Sequence, residues 1–190
     1  DAILLDAFLG DSSPSHLMTH EAFVEMRGHL SDHGTLVINS FGESNPERQF
    51  FSSSLDKTLR SVFGPERVIV HASGYGNVFF VATKAPLIKV HHSPEPDPDA
   101  GKRLREAKSE RDAYAVWNEW YGAAKGEGPF FSEHRQVQME MALMWKGRRE
   151  FDAAHGQLLL DDFNPVEFYD ARNREENRRG LIHQINPGNG

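Results

Sequence analysis

Asp6 follows the run Asp1-Ala2-Ile3-Leu4-Leu5, and Asp11, Pro14, Ser15 and Thr19 come soon after it in a polar, turn-rich stretch. A carboxylate placed where an apolar strand runs out can accept hydrogen bonds from an amine, orient it, and take its proton as it attacks an electrophile. The same carboxylate can instead organise the following loop by bonding nearby backbone amides. Chemistry alone does not separate the two. Asp161-Asp162 could line the same cleft and attract a cation, yet adjacent acids ahead of Asn164-Pro165 also serve as a turn and helix-start device. His91-His92 lacks a third ligand nearby and reads as a solvated pair, so no metal site is expected. Ser73-Gly74-Tyr75-Gly76 is too short for a phosphate loop and precedes no helix. Ser, His and Asp are so frequent that any chosen triad would be arbitrary.

The elements that must position these residues follow from periodicity. Ala2 to Leu5 is apolar without alternation, which suits a central parallel strand covered on both faces, with Asp6 at its carboxyl edge, where open α/β sheets bind ligands. Thr19 can cap a helix carrying Ala22, Phe23, Met26 and Leu30. Thr35 to Ile38 is a second strand, stopping at Asn39-Ser40. A helix over Phe51 to Phe63, with Leu55, Leu59, Val62 and Phe63 on one face, closes at Gly64-Pro65. Arg67 to His71 and Asn77 to Thr83 then form an antiparallel hairpin. The chain enters its first strand with no helix or turn ahead of it, so a preceding half is expected to be missing.

Residues 85–101, with Pro86, Pro94, Pro96 and Pro98, read as a linker. Lys102 to Tyr121 and Glu133 to Lys146 have helical spacing, the second with Val137, Met141, Met144 and Trp145 on one face and Gly147 as its stop. Trp117, Trp120, Tyr121 and Trp145 suggest a packed helical layer. A short strand over Gln157 to Leu160 and a helix over Pro165 to Arg179 complete the reading, and the tail after Gly180 is expected to be loose.

Composition narrows the classes. The 190 residues carry a formal charge of −7 with no basic block, which argues against a nucleic-acid surface. With 38% hydrophobic residues, no stretch approaches the roughly 20 apolar residues of a spanning helix. There is no cysteine, so disulfides, thiolate zinc sites and thiol nucleophiles are excluded, and a reducing, cytoplasmic setting fits.

The order β-α-β-α-β-β with a reversed last strand matches the second half of a methyltransferase-like, Rossmann-like doubly wound sheet. More specifically, Asp1 to Phe8, then Pro14-Ser15-His16-Leu17-Met18-Thr19, then Gly34-Thr35-Leu36-Val37-Ile38-Asn39 resemble spermidine synthase and its spermidine-synthase-like relatives. Leu160-Asp161-Asp162-Phe163-Asn164-Pro165-Val166-Glu167 resembles the ending of a bacterial subgroup often fused to membrane helices, with Leu160 where that subgroup has Thr. The resemblance implies a polyamine aminopropyltransferase that uses decarboxylated S-adenosylmethionine as co-substrate and a small-molecule amine as acceptor. It implies Asp6 as proton acceptor and amine ligand, and Pro14 against the nucleoside. The synthases proper carry a second acid three positions after the first, whereas this chain has Leu9, so Asp11 is the candidate replacement. Methyl transfer from S-adenosylmethionine and a catalytically inactive binding module are the alternatives.

Three parts are therefore expected: the carboxyl half of a methyltransferase-like α/β domain over 1–84, the linker over 85–101, and a helical extension over 102–190 with a short strand near 157–160. A homodimer, and membrane helices upstream of Asp1 in a parent protein, are compatible with the resemblance. The chain by itself, without a Gly-rich nucleotide turn, is expected to bind adenosyl ligands weakly and to be inactive. No nucleoside-binding set can be named from its own residues.

Overall fold

The computed structural model describes residues 1–6, 14–41, 49–72, 77–86, 88, 97–124, 134–151, 153–165 and 168. Within them a mixed sheet forms from β1 (Ala2–Leu5), β2 (Thr35–Phe41), β3 (Val68–Ala72), β4 (Asn77–Thr83) and β5 (Arg148–Arg149), in the order β1-β2-β4-β3-β5. β1 and β2 are parallel, with Leu5 opposite Ile38, and the remaining pairs are antiparallel. This is the α/β, Rossmann-like arrangement with a reversed final hairpin that the sequence predicts.

The helices between the strands start and stop for local reasons. Thr19 caps α1 (His20–His29) by accepting a hydrogen bond from the Ala22 amide at 3.1 Å. α2 (Phe50–Phe63) ends at Gly64, whose φ of 99° lies in the region that side chains other than glycine rarely adopt. Phe23 of α1 and Leu55, Leu59 and Phe63 of α2 pack onto Leu36, Ile38, Val70 and Phe80 of the sheet as one core.

The opposite sheet face is covered differently. Only Ile3 and Leu5 of β1 turn toward the core, while Leu4 is 75% exposed. β1 is an edge strand among the described residues, pairing with β2 alone. Across the sheet, α3 (Pro98–Glu106), α4 (Glu110–Ala124) and α5 (Arg135–Lys146) build a second core from Leu104, Ala113, Trp117, Tyr121, Ala142 and Trp145. That core meets β3, where the Ala72 amide donates to the Gly147 carbonyl at 2.7 Å and His71 Nδ1 bonds the Met144 carbonyl at 2.9 Å.

Several expected boundaries move. β2 runs through Asn39 and Ser40 to Phe41, because β4 continues to pair with it there. The single helix over Lys102 to Tyr121 is two: the Ala107 amide turns back to Leu104, and Ser109 restarts the chain by accepting from the Asp112 amide at 3.1 Å. α3 starts inside the stretch read as linker, since Asp97 caps it with Pro98 in its first turn, and Ala100 and Gly101 are buried. On α5 the buried face is centred on Ala142 and Trp145, leaving Val137 and Met144 exposed. Gln157 to Leu160 is extended but joins no sheet, and β5 was not anticipated. His91-His92, the hairpin tip at 73–76, the tail, and the helix expected after Pro165, apart from Pro165 and Phe168, lie outside the described residues.

Candidate functional site

The parallel β1–β2 register brings two polar side chains together. Because Leu5 is opposite Ile38, the next residues along the two strands, Asp6 and Asn39, are neighbours at the carboxyl ends. Asn39 Nδ2 donates to Asp6 Oδ1 at 2.9 Å. An ionised carboxylate only accepts, so this contact fixes which way the amide points: its NH₂ faces Asp6, and its Oδ1 faces elsewhere. That Oδ1 is buried and has no partner among the described residues. Asp6 itself is exposed and has no cation paired with it among the described residues. The edge therefore presents an exposed carboxylate with lone pairs left over beside the Asn39 bond, an arrangement that suits an ammonium or amine donor.

Pro14 is the next described residue along the chain. It is buried, extended at φ −68° and ψ 101°, and its carbonyl accepts from the Leu17 amide at 3.0 Å to open the 3-10 turn at Ser15–Leu17. Asp11 and Leu9 lie outside the described residues, so the question of a second acid is not answered by this geometry.

The Asp161-Asp162 pair lies beside the start of α1. The Leu160 and Phe163 backbones bond each other in both directions, at 3.0 and 3.1 Å, leaving the two acids at the tip of a tight turn. The Asp161 amide donates to Glu21 Oε2 at 3.1 Å, beside the start of α1. Both acids are exposed, and neither has a hydrogen bond to Asp6. The turn-forming role weighed for them from the sequence is what their backbone bonds describe.

The residues that sequence reasoning missed are Asn39 as partner of Asp6, and Ser54 and Thr58 on α2. The signal for Asn39 was present, since both parallel strands pass from apolar to polar residues at matching positions. Ser54 and Thr58 stand four apart on α2, both buried, and they accept hydrogen bonds from the Gln157 and Leu159 amides, each at 3.1 Å.

Perturbed titrating groups lie away from the Asp6 edge. Burial holds the His71 imidazole below its ordinary range, assisted by the positive charge of Arg148 and opposed by the bond to the Met144 carbonyl. Burial likewise raises the Asp56 carboxyl, although Arg60 Nε sits 2.9 Å from both its oxygens and pulls the other way. Among the described residues no group of three or more His, Cys, Asp or Glu could hold a metal ion, and no helix is long and apolar enough to cross a membrane.

Comparison with known proteins gives a partial likeness. The polyamine aminopropyltransferase of Vibrio vulnificus (strain CMCP6) is 45% identical to this chain over 64 residues, covering 34% of this chain and 20% of that protein. The match thus spans about a fifth of that relative's length. No protein-family model matches the chain, and no solved structure matches it.

Proposed function

We propose that this chain supplies the acceptor half of an aminopropyltransferase site, in which an amine attacks the aminopropyl carbon of decarboxylated S-adenosylmethionine. The observation that carries the reading is the Asp6–Asn39 pair at the carboxyl ends of two parallel strands, and the partial likeness to a protein named polyamine aminopropyltransferase supports it. At neutral pH an alkyl amine is an ammonium with no lone pair to give. Asp6 accepts a hydrogen bond from it, takes the proton, and leaves the neutral nitrogen aimed at the carbon. The new carbon–nitrogen bond forms as the carbon–sulfur bond breaks, and its electron pair returns to sulfur. The sulfonium becomes the neutral thioether of methylthioadenosine.

Asn39 has the supporting part in this scheme. Its amide holds one carboxylate oxygen, so the remaining lone pairs of Asp6 are presented in a fixed direction.

Replacing Asp6 by Asn in the full-length protein tests the role, with release of methylthioadenosine from decarboxylated S-adenosylmethionine and a panel of diamines as the assay. Turnover is expected to fall by about 100-fold or more, the usual span for loss of a general base. Unchanged turnover would reject Asp6 as the base. Release of S-adenosylhomocysteine from S-adenosylmethionine by the unaltered protein, with no aminopropyl transfer, would reject the donor.

A further inference from the structure

Gly156 to Leu159 form a strap that joins no sheet, bonding instead to side chains of α2 and to the start of α1, and the turn at Leu160–Phe163 leads from it to Asn164. The Gln157 amide goes to Ser54 Oγ, the Leu159 amide to Thr58 Oγ1, and the Gly156 carbonyl accepts from Lys57 Nζ at 2.9 Å. The Leu159 carbonyl accepts from the His20 amide at 2.7 Å, and the Leu159 side chain is 1% exposed in the main core. The strap so runs from α2 to the start of α1. There Asn164 Nδ2 donates to the Ser15 carbonyl at 2.6 Å.

Ser15 adjoins Pro14, the first described residue after Asp6. Asp6 is thus held by Asn39, and the Ser15 carbonyl by Asn164. We propose that Asn164 is a positioning residue for the site at Asp6, clasping the Pro14–Leu17 turn from a segment about 150 residues away in sequence. It touches no reacting atom. Its effect passes through the Ser15 carbonyl to the 3-10 turn, whose Leu17 and Met18 amides bond Pro14 and Ser15 at 3.0 Å. Losing the clasp lowers the fraction of molecules whose turn is in place, and apparent affinity falls by that same fraction. The consequence for substrate rests on the aminopropyl-transfer reading, whereas the clasp itself does not.

The test uses Asn164→Ala and Asn164→Asp in the full-length protein, the second being nearly isosteric but without the donor. Amide exchange at Leu17 and Met18 is expected to quicken by about fivefold to tenfold, the factor that goes with one lost hydrogen bond, while the paired amides of β2 and β4 keep their wild-type rates. Asn164→Gln, which keeps a donor, should recover part of the protection. KM for the acceptor amine is expected to rise by at most that factor, with kcat within about twofold. Wild-type exchange at both amides in both variants overturns the clasp. A fall in kcat at unchanged KM overturns its positioning role. Faster exchange in a protein that transfers no aminopropyl group supports the clasp and rejects the transfer reading alone.

Discussion

Asn39 reaches Asp6 across the carboxyl ends of β1 and β2, amide to carboxylate, at 2.9 Å. The contact joins residues 33 apart in sequence, and the parallel register is its cause. If it orients the base, Asn39→Ala should lower kcat by about tenfold, the equivalent of one hydrogen bond to a charged group. In the Asp6→Asn background the same change should have almost no further effect, because both residues act on one step. Equal effects of Asn39→Ala in the two backgrounds would show that the pair is not coupled.

Much of this arrangement was readable before the structure, and the reasons are local. Strand and helix identities in 1–84 follow from runs such as Thr35 to Ile38 and from caps such as Thr19, which are properties of adjacent residues. Asp6 was readable for the same reason, as an acid at the end of an apolar run. Its partner was legible only as a polar residue ending the next apolar run, and the pairing of Leu5 with Ile38 is what makes Asn39 a neighbour. The strap was misread as a strand for a related reason. Extended backbone is legible in Gln157 to Leu160, but whether its amides meet a neighbouring strand or the hydroxyls of Ser54 and Thr58 depends on contacts about 100 residues away. The α3–α4 break carried a local signal that was passed over, Ser109 three residues before Asp112.

Thr58 is the residue on which the strap's attachment can be weighed. Its hydroxyl donates to the Ser54 carbonyl at 2.7 Å and accepts from the Leu159 amide, both in buried surroundings. Thr58→Val preserves the shape and leaves the Leu159 amide without an acceptor, which costs about 1 to 3 kcal/mol for a buried donor. Thr58→Ser keeps the acceptor and should lose less. Urea unfolding separates the two, and equal losses would mean that packing of the methyl, not the hydrogen bond, holds the strap.

Gly147 joins α5 to β3 at a distance that admits no side chain. A Cβ there would stand 2.0 Å from the Ala72 carbonyl oxygen, which is backbone and cannot swing away. Gly147→Ala should therefore destabilise by at least about 2 kcal/mol, in the upper part of the range for overpacking, and separate the helical layer from the sheet. Gly28→Ala is the control, since a Cβ at Gly28, in the last turn of α1, meets nothing within 4 Å. It should leave stability unchanged or raise it by less than about 1 kcal/mol. Thermal unfolding of both variants gives the comparison, and a Gly147→Ala protein as stable as Gly28→Ala would contradict the close approach.

His71 makes the same junction sensitive to acid. It is buried on β3 beside the Trp145 ring, 6.2 Å away edge to face, with the Met144 carbonyl on Nδ1 and the positive charge of Arg148 nearby. Burial first, and Arg148 second among the lowering causes, hold its native value below the ordinary histidine range. As pH falls from about 7 toward about 5, the unfolded chain takes up the proton before the native one. The contribution of His71 is therefore fully present above the ordinary range and is lost as pH falls toward the lowered native value, with a slope of at most about 1.4 kcal/mol per pH unit for one proton. His71→Asn can keep an N–H for the Met144 carbonyl while removing the titration. Urea midpoints measured across this window should decline less steeply for the variant than for the unaltered protein. Parallel declines would assign the acid sensitivity to other groups.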